Sequence, residues 1–450
     1  MPRLTRDRLT WLTYAQLGLW GFFLYGFGPV VPLLRDEQGT SAAVASLHGT
    51  GIAVGALVGG ALFAPLARRL GRGRTIWTGL AGVAAGAVAL GFARALPVTI
   101  TAVAVIATFG MLVISGVVVV LTDRHGSGAA AALTEANAAC AGAGILAPLV
   151  IGASVDAGWG WRPAMAVQVG LIALVALAAL VFRVRPPQAA PAAAAPGASS
   201  AGASVDAASP AGASVDAAAV NAAAVDDASV DAAASVDDAA SAGGEHRSGP
   251  RLPLAYWIAW ALMAVTGSIE VCLSLWTADV LRSHAGMAAG TASAAVAAIV
   301  CGMFVGRLVG GRFALRYRPV PLLLAALGLS MVGFTIFWAA PVGWLAVTGL
   351  VVLGLGNALH YPLAISIALA VAGPAADRAA GWASYSMGVG FGIAPVALGW
   401  VADGVGPHLA FLLLPGFVAV AALLAARLGR VLRPAGTPDP ADTRHLTTAT

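Results

Sequence analysis

The chain contains no lysine: all 25 basic residues are arginine. That absence removes any chemistry that needs a lysine Schiff base or a P-loop lysine, so the chain is not itself a Walker-type ATPase subunit. Charge of either sign is scarce, at 10% of 450 residues, where ordinary soluble domains carry about 25%. With 59% hydrophobic residues, a water-soluble globule is excluded. Cysteine is equally sparse. Cys140, Cys272 and Cys301 each lie inside an apolar run, with no metal-ligand spacing and no even set to pair, so they read as small core residues. No metal and no cofactor are expected. No H-E-x-x-H or comparable set is present, and the glycines at 388 to 392 follow no strand, which argues against a polytopic membrane enzyme and against a nucleotide site. The net charge of +5 comes in short Arg clusters between apolar stretches, which no nucleic-acid module resembles.

What the sequence does have is long apolar runs. A bilayer core of about 30 Å needs roughly 20 apolar residues per helical crossing. Twelve such stretches are found, near 11–34, 42–67, 75–94, 97–121, 129–155 and 163–183, then 253–279, 287–315, 319–339, 341–369, 380–402 and 408–430. The first follows Arg3, Arg6 and Arg8 as a signal peptide would, yet its apolar run is too long for one, so an uncleaved span is expected. Twelve spans put both termini on one side, with 21 Arg on that side and four (Arg35, Arg94, Arg162 and Arg282) on the other. The bias assigns the termini to the cytoplasm and the chain to the inner, cytoplasmic membrane.

Residues 186–250 differ in character. Ala, Ser, Pro and Gly dominate, and Ala-Ser-Val-Asp recurs at 203, 213, 228 and 234. Without aromatic or large aliphatic residues such a segment cannot offset its ordering entropy, so a disordered cytoplasmic linker is expected. Residues 186–246 carry seven Asp and Glu245 with no Arg, so the rest of the chain, with 25 Arg against 12 acids, carries +13. The expected organisation is an N-terminal six-helix half (1–185), the linker (186–250), a C-terminal six-helix half (251–433) and a tail (434–450).

The two halves are copies at a constant offset of 247. Leu34, Arg35, Gly39, Ser46, Gly55, Gly59 and Arg69 match Leu281, Arg282, Gly286, Ser293, Gly302, Gly306 and Arg316. The register persists to Ala147, Pro148, Gly152 and Asp156 against Ala394, Pro395, Gly399 and Asp403. Six spans return the chain to its starting side, so the copies share one orientation, related by an axis along the membrane normal. Gly51, Gly55 and Gly59, with Gly302, Gly306 and Gly310, form four-residue stripes suited either to tight helix packing or to a sliding surface between halves.

A duplicated six-span unit with a long middle loop resembles the major facilitator superfamily. Leu66, Gly71, Arg72 and Arg74 resemble its loop signature, and a degenerate copy ends at Arg316 and Arg318; Ala64 and Arg68 replace the pattern's first Gly and its Asp. The resemblance implies that Arg68, Arg72 and Arg316 serve a cytoplasmic gate. Gly354-Leu355-Gly356-Asn357, leading to Tyr361-Pro362, resembles the fucose-permease-like branch. The implied fold is an all-α membrane protein of twelve helices, with spans one, four, seven and ten lining a central cavity.

A charge inside the bilayer costs about 2.5–3.5 kcal/mol on insertion scales, so embedded acids point to function. Glu270, deep in the seventh span, is the leading candidate for proton coupling or substrate contact. Glu135, at the start of the fifth, is a gate or cap and a second proton-coupling candidate, with Asn137 beside it a packing residue. Asn357, His360 and Tyr361 fall at i, i+3 and i+4, which predicts one polar face in the tenth span, and Pro362 predicts a kink there. Trp20 and Tyr25, with Gln16 and Trp276, complete the candidate cavity wall, and His48 reads as interfacial. The embedded positions include no Arg on this reading, which lowers the expectation of anionic substrates. The expected function is a monomeric secondary transporter that moves a small neutral or cationic, sugar- or polyol-like solute by alternating access, using the proton gradient. Efflux of lipophilic compounds is the alternative, and a membrane enzyme or receptor the rival class.

Overall fold

The computed structural model describes residues 6–184, 252–314 and 316–432. The expected linker and tail lie outside the described residues. Among those described, every regular element is helical, and twelve helical segments are long and apolar enough to cross a membrane. The first half holds Arg8–Gln38, Ala42–Leu70, Arg72–Phe92, Leu96–His125, Ala129–Asp156 and Pro163–Val181. The second holds Leu254–Ser283, Ala289–Ala295 with Ala297–Ala314, Pro319–Ala339, Gly343–Asn357 with His360–Ala372, Ala376–Val405, and Pro407–Ala410 with Leu413–Val431.

The local sequence explains where these helices stop. Gly39, at φ 61, closes the first span by donating its N–H to the Arg35 carbonyl, a left-handed conformation that glycine adopts without a Cβ penalty. Ser41 then caps the second span, its hydroxyl accepting from the Val44 N–H. Pro163, Pro319 and Pro407 open their helices, where the missing N–H would have no partner in any case. The tenth span is interrupted at Ala358 and Leu359, just before Pro362, where the ring removes a backbone donor.

The glycine stripes face inward within each half. Gly51, Gly55 and Gly59 lie against Ile100, Ala104 and Thr108 of the fourth span, and Gly302, Gly306 and Gly310 against Val351, Leu355 and Leu359 of the tenth. They are packing surfaces of one half each, and the sliding-surface alternative is not what they form. His48 is also corrected: it is fully buried, bonded to the Ala45 carbonyl at 2.7 Å and to Thr99 Oγ1 at 2.9 Å. A polar side chain near a helix end reads as interfacial from sequence, but here Thr99 of the fourth span satisfies it inside the half.

Candidate functional site

A cavity of about 80 Å³ lies between the two halves. Its wall is mostly apolar. Phe27 of the first span, Ile52 of the second, Leu275 of the seventh, Val300 and Met303 of the eighth and Phe391 of the eleventh all contribute. Its polar side chains are Tyr25, Glu270, Ser274 and Asn357.

Chain direction places these polar groups. The first and seventh spans start at the face where both ends of the described chain emerge, here the termini face, and the eighth and tenth start at the far face. Tyr25 and Glu270 come before the other wall residues of their helices apart from Leu24, and Asn357 ends its helical segment, so all three mark the termini side of the cavity. Tyr25 lies 17 residues past Arg8 and Glu270 16 past Leu254, or roughly 25 Å along each helix. Asn357 reaches Met303 Sδ at 3.7 Å, and its buried Oδ1 has no partner among the described residues.

Arg307 corrects the sequence reading. Counted there with the loop arginines, it lies within the eighth span, and its Nη1 donates to the Tyr25 hydroxyl at 3.4 Å, from one half to the other. Helical side chains lean toward their own N-terminus. For Arg307 that is the far face, and for Tyr25 the termini face, so the two lean toward each other. Glu270 shares the cavity wall with Tyr25, and the Tyr25 ring packs over Gly144, where a Cβ would collide with it. The premise of a centre without Arg therefore fails.

The other candidates are placed as follows. His360 is buried and 3.1 Å from Ser330 Oγ of the ninth span, outside the cavity wall. The helix interruption before it breaks the single polar face that the spacing predicts. Tyr361 is buried without reaching that wall. Trp20, Gln16 and Trp276 are buried packing residues; the Trp20 ring fills the space that a side chain at Gly110 would need. Glu135 is held at the termini face by Arg6 at 2.8 and 2.5 Å and by the Tyr14 hydroxyl at 3.1 Å. Asn137 is buried, with no partner for its Nδ2 among the described residues. Of the expected gate residues, Arg72 pairs with Asp123, while Arg68 and Arg316 are exposed.

Sequence reasoning missed the seal at the far face. Arg35 forms a two-pronged pair with Asp279, and Arg282 bonds Asp36 at 2.7 Å, both between halves. Asp403 accepts from the backbone N–H groups of Ala42 at 2.6 Å and Ala43 at 3.1 Å, placing a carboxylate of one half at the positive start of a helix of the other. Its repeat counterpart Asp156 lies against Gly290, where a Cβ would strike the carboxylate. The signal was in the sequence, since Asp156 and Asp403 are matched by the repeat.

Two six-helix lobes around a small, mainly apolar cavity, with an acid in its wall and an arginine bonded to a wall tyrosine, define a membrane transporter architecture. The family model described as the Major Facilitator Superfamily matches residues 16–282 and 254–448, and the chain belongs to that superfamily. Among curated proteins no sequence matches it. Solved structures share the fold. The MFS transporter FucP in the outward conformation is 16% identical with a TM-score of 0.54, covering 94% of this chain and 98% of its own. A variant of the E. coli fucose:proton symporter FucP is 18% identical at 0.52, covering 93% and 98%. A mutant of the nucleoside transporter NupG is 14% identical at 0.67, covering 94% and 99%.

Proposed function

We propose that the chain is a secondary transporter that carries a small solute across the cytoplasmic membrane by alternating access, acting as a monomer with both termini in the cytoplasm, and coupled to protons through Glu270. The observation that carries this reading is Glu270 in the wall of a cavity enclosed by both halves. A carboxyl that gains and loses a proton there changes the charge of the cavity by one unit, which couples its occupancy to the proton gradient. At about 80 Å³ the cavity is far below the roughly 300 Å³ or more of ligand pockets. The halves must therefore part to admit a solute, as rocking requires.

The lining bears on the solute. A sugar or polyol needs a hydrogen-bonding partner for nearly every hydroxyl, and four polar side chains among fifteen wall residues supply few. The mainly apolar wall favours the lipophilic-compound alternative, for a solute with an apolar body and a polar end. The test is Glu270→Gln in proteoliposomes with an imposed pH gradient, using a solute found by thermal-shift screening. Uphill accumulation should vanish while solute exchange persists; unchanged pH dependence would remove Glu270 from the mechanism.

A further inference from the structure

Arg307 stands one helical turn past Met303 of the cavity wall and leans toward the cavity. It cannot shed its proton under any physiological condition. An uncompensated cation at this depth is costly, so the termini side of the cavity must always offer Arg307 a counter-charge. Ionised Glu270, which lines the same cavity as Tyr25, supplies one. When Glu270 takes up a proton, this side of the cavity becomes more positive by one unit, which an arriving anion would offset. The geometry provides a place for that anion: the Tyr25 hydroxyl and the Arg307 guanidinium are donors beside a pocket whose remaining wall is apolar.

Building on the transporter reading above, we infer that the solute is an amphipathic monocarboxylate whose carboxylate binds Arg307 and Tyr25, with its apolar body among Phe27, Leu275, Val300 and Phe391, and that it moves with one proton on Glu270. The net charge of the site is then the same empty and loaded, so transport is electroneutral. Among the described ionisable groups, Cys140 of the fifth span is buried, and Tyr361 is buried in the tenth span, whose second segment packs against the seventh. His360 is turned to Ser330.

The probes are hexanoate, benzoate and indole-3-acetate, each compared with its primary amide and with the matching amine, on the purified full chain. At least one carboxylate should raise the melting temperature where its amide and amine do not. Arg307→Gln should weaken that carboxylate by about tenfold or more, the scale of a lost charge-assisted hydrogen bond, while Arg307→Lys, which keeps the charge, retains part of the binding. Ligand-free melting of both variants establishes that they fold. In proteoliposomes the same carboxylate should enter with one proton, at a rate indifferent to a potassium–valinomycin potential of either sign. The inference is overturned if no carboxylate binds, if amide or amine binds as well, if Arg307→Gln binds unchanged, or if flux follows the potential. Gradient-driven flux of an amine or amide would sink the carboxylate site and leave the transporter reading intact; carboxylate binding without any gradient-driven flux would do the reverse.

Discussion

The two faces of the molecule are held together differently. At the far face, beside Arg94 and Arg162 paired with Glu37 inside the N-terminal half, charges also run between halves: Arg35 to Asp279, Arg282 to Asp36, and Asp403 to the start of the second span. At the termini face the ion pairs described, Arg6–Glu135, Arg124–Asp7 and Arg72–Asp123, all lie within the N-terminal half. Charges that bridge lobes bias how the lobes sit; charges within a lobe only stiffen it. The structure is thus fastened at the far side of the cavity, and under the proposed mechanism it represents one of the two end states.

The contrast breaks most severely at Gly28. A Cβ there would run into the Ser274 backbone of the opposite half, so Gly28→Val should force the lobes apart beside the cavity. Overpacking costs about 1–3 kcal/mol or more, and size-exclusion profiles with melting curves should show a clear loss of stability. Next comes Asp279→Asn. Asp279 is 5% exposed and its partner Arg35 21%, and breaking such a pair strands a charge, worth roughly 1.5–3 kcal/mol. In a background without native cysteines, the reactivity of Ser274→Cys toward a membrane-impermeant thiol reagent added at the far face should rise by about tenfold or more. Asp123→Asn, which breaks an exposed pair within one half, should change it by about twofold at most.

A smaller change is expected from Asp403→Asn. It keeps an acceptor but loses the anionic charge at the start of the second span, worth about 0.3–1 kcal/mol, so the same labelling should rise a few-fold at most. Smallest of all is the contribution of Asp7, on the termini face. Burial pushes its carboxyl up, but hydrogen bonds from Thr10 and the Arg124 guanidinium outweigh this and hold it below the usual carboxylate range. A depressed carboxyl contributes stability that is present above its unfolded value, near about 3.9, and is lost as the pH falls through the folded one. Asp7→Asn should therefore flatten the acid limb of the melting temperature below about pH 4 and leave far-face labelling unchanged.

Hydropathy and the repeat made the twelve spans legible, because lipid demands long apolar helices whatever the tertiary contacts are. Glu270 was legible for the same reason, as an acid where acid is expensive. Arg307 was not, because its position in the chain was counted with the loops while its side chain leans back to Tyr25. His360 was misplaced because the i, i+3, i+4 rule holds only along an unbroken helix, and the interruption at Ala358 and Leu359 precedes it. Arg35, Arg282 and Asp279 carried a signal for topology or none at all, since which half an ion pair joins is decided by tertiary packing.

Spin-label distances in nanodiscs test the central claim most directly, with one pair at the repeat-related far-face sites Ser41 and Ala288 and another at the exposed termini-face sites Arg69 and Arg316. If the halves rock about the central cavity, Asp279→Asn lengthens the first distance and shortens the second. If both distances hold still, or lengthen together, the two halves do not rock about that cavity.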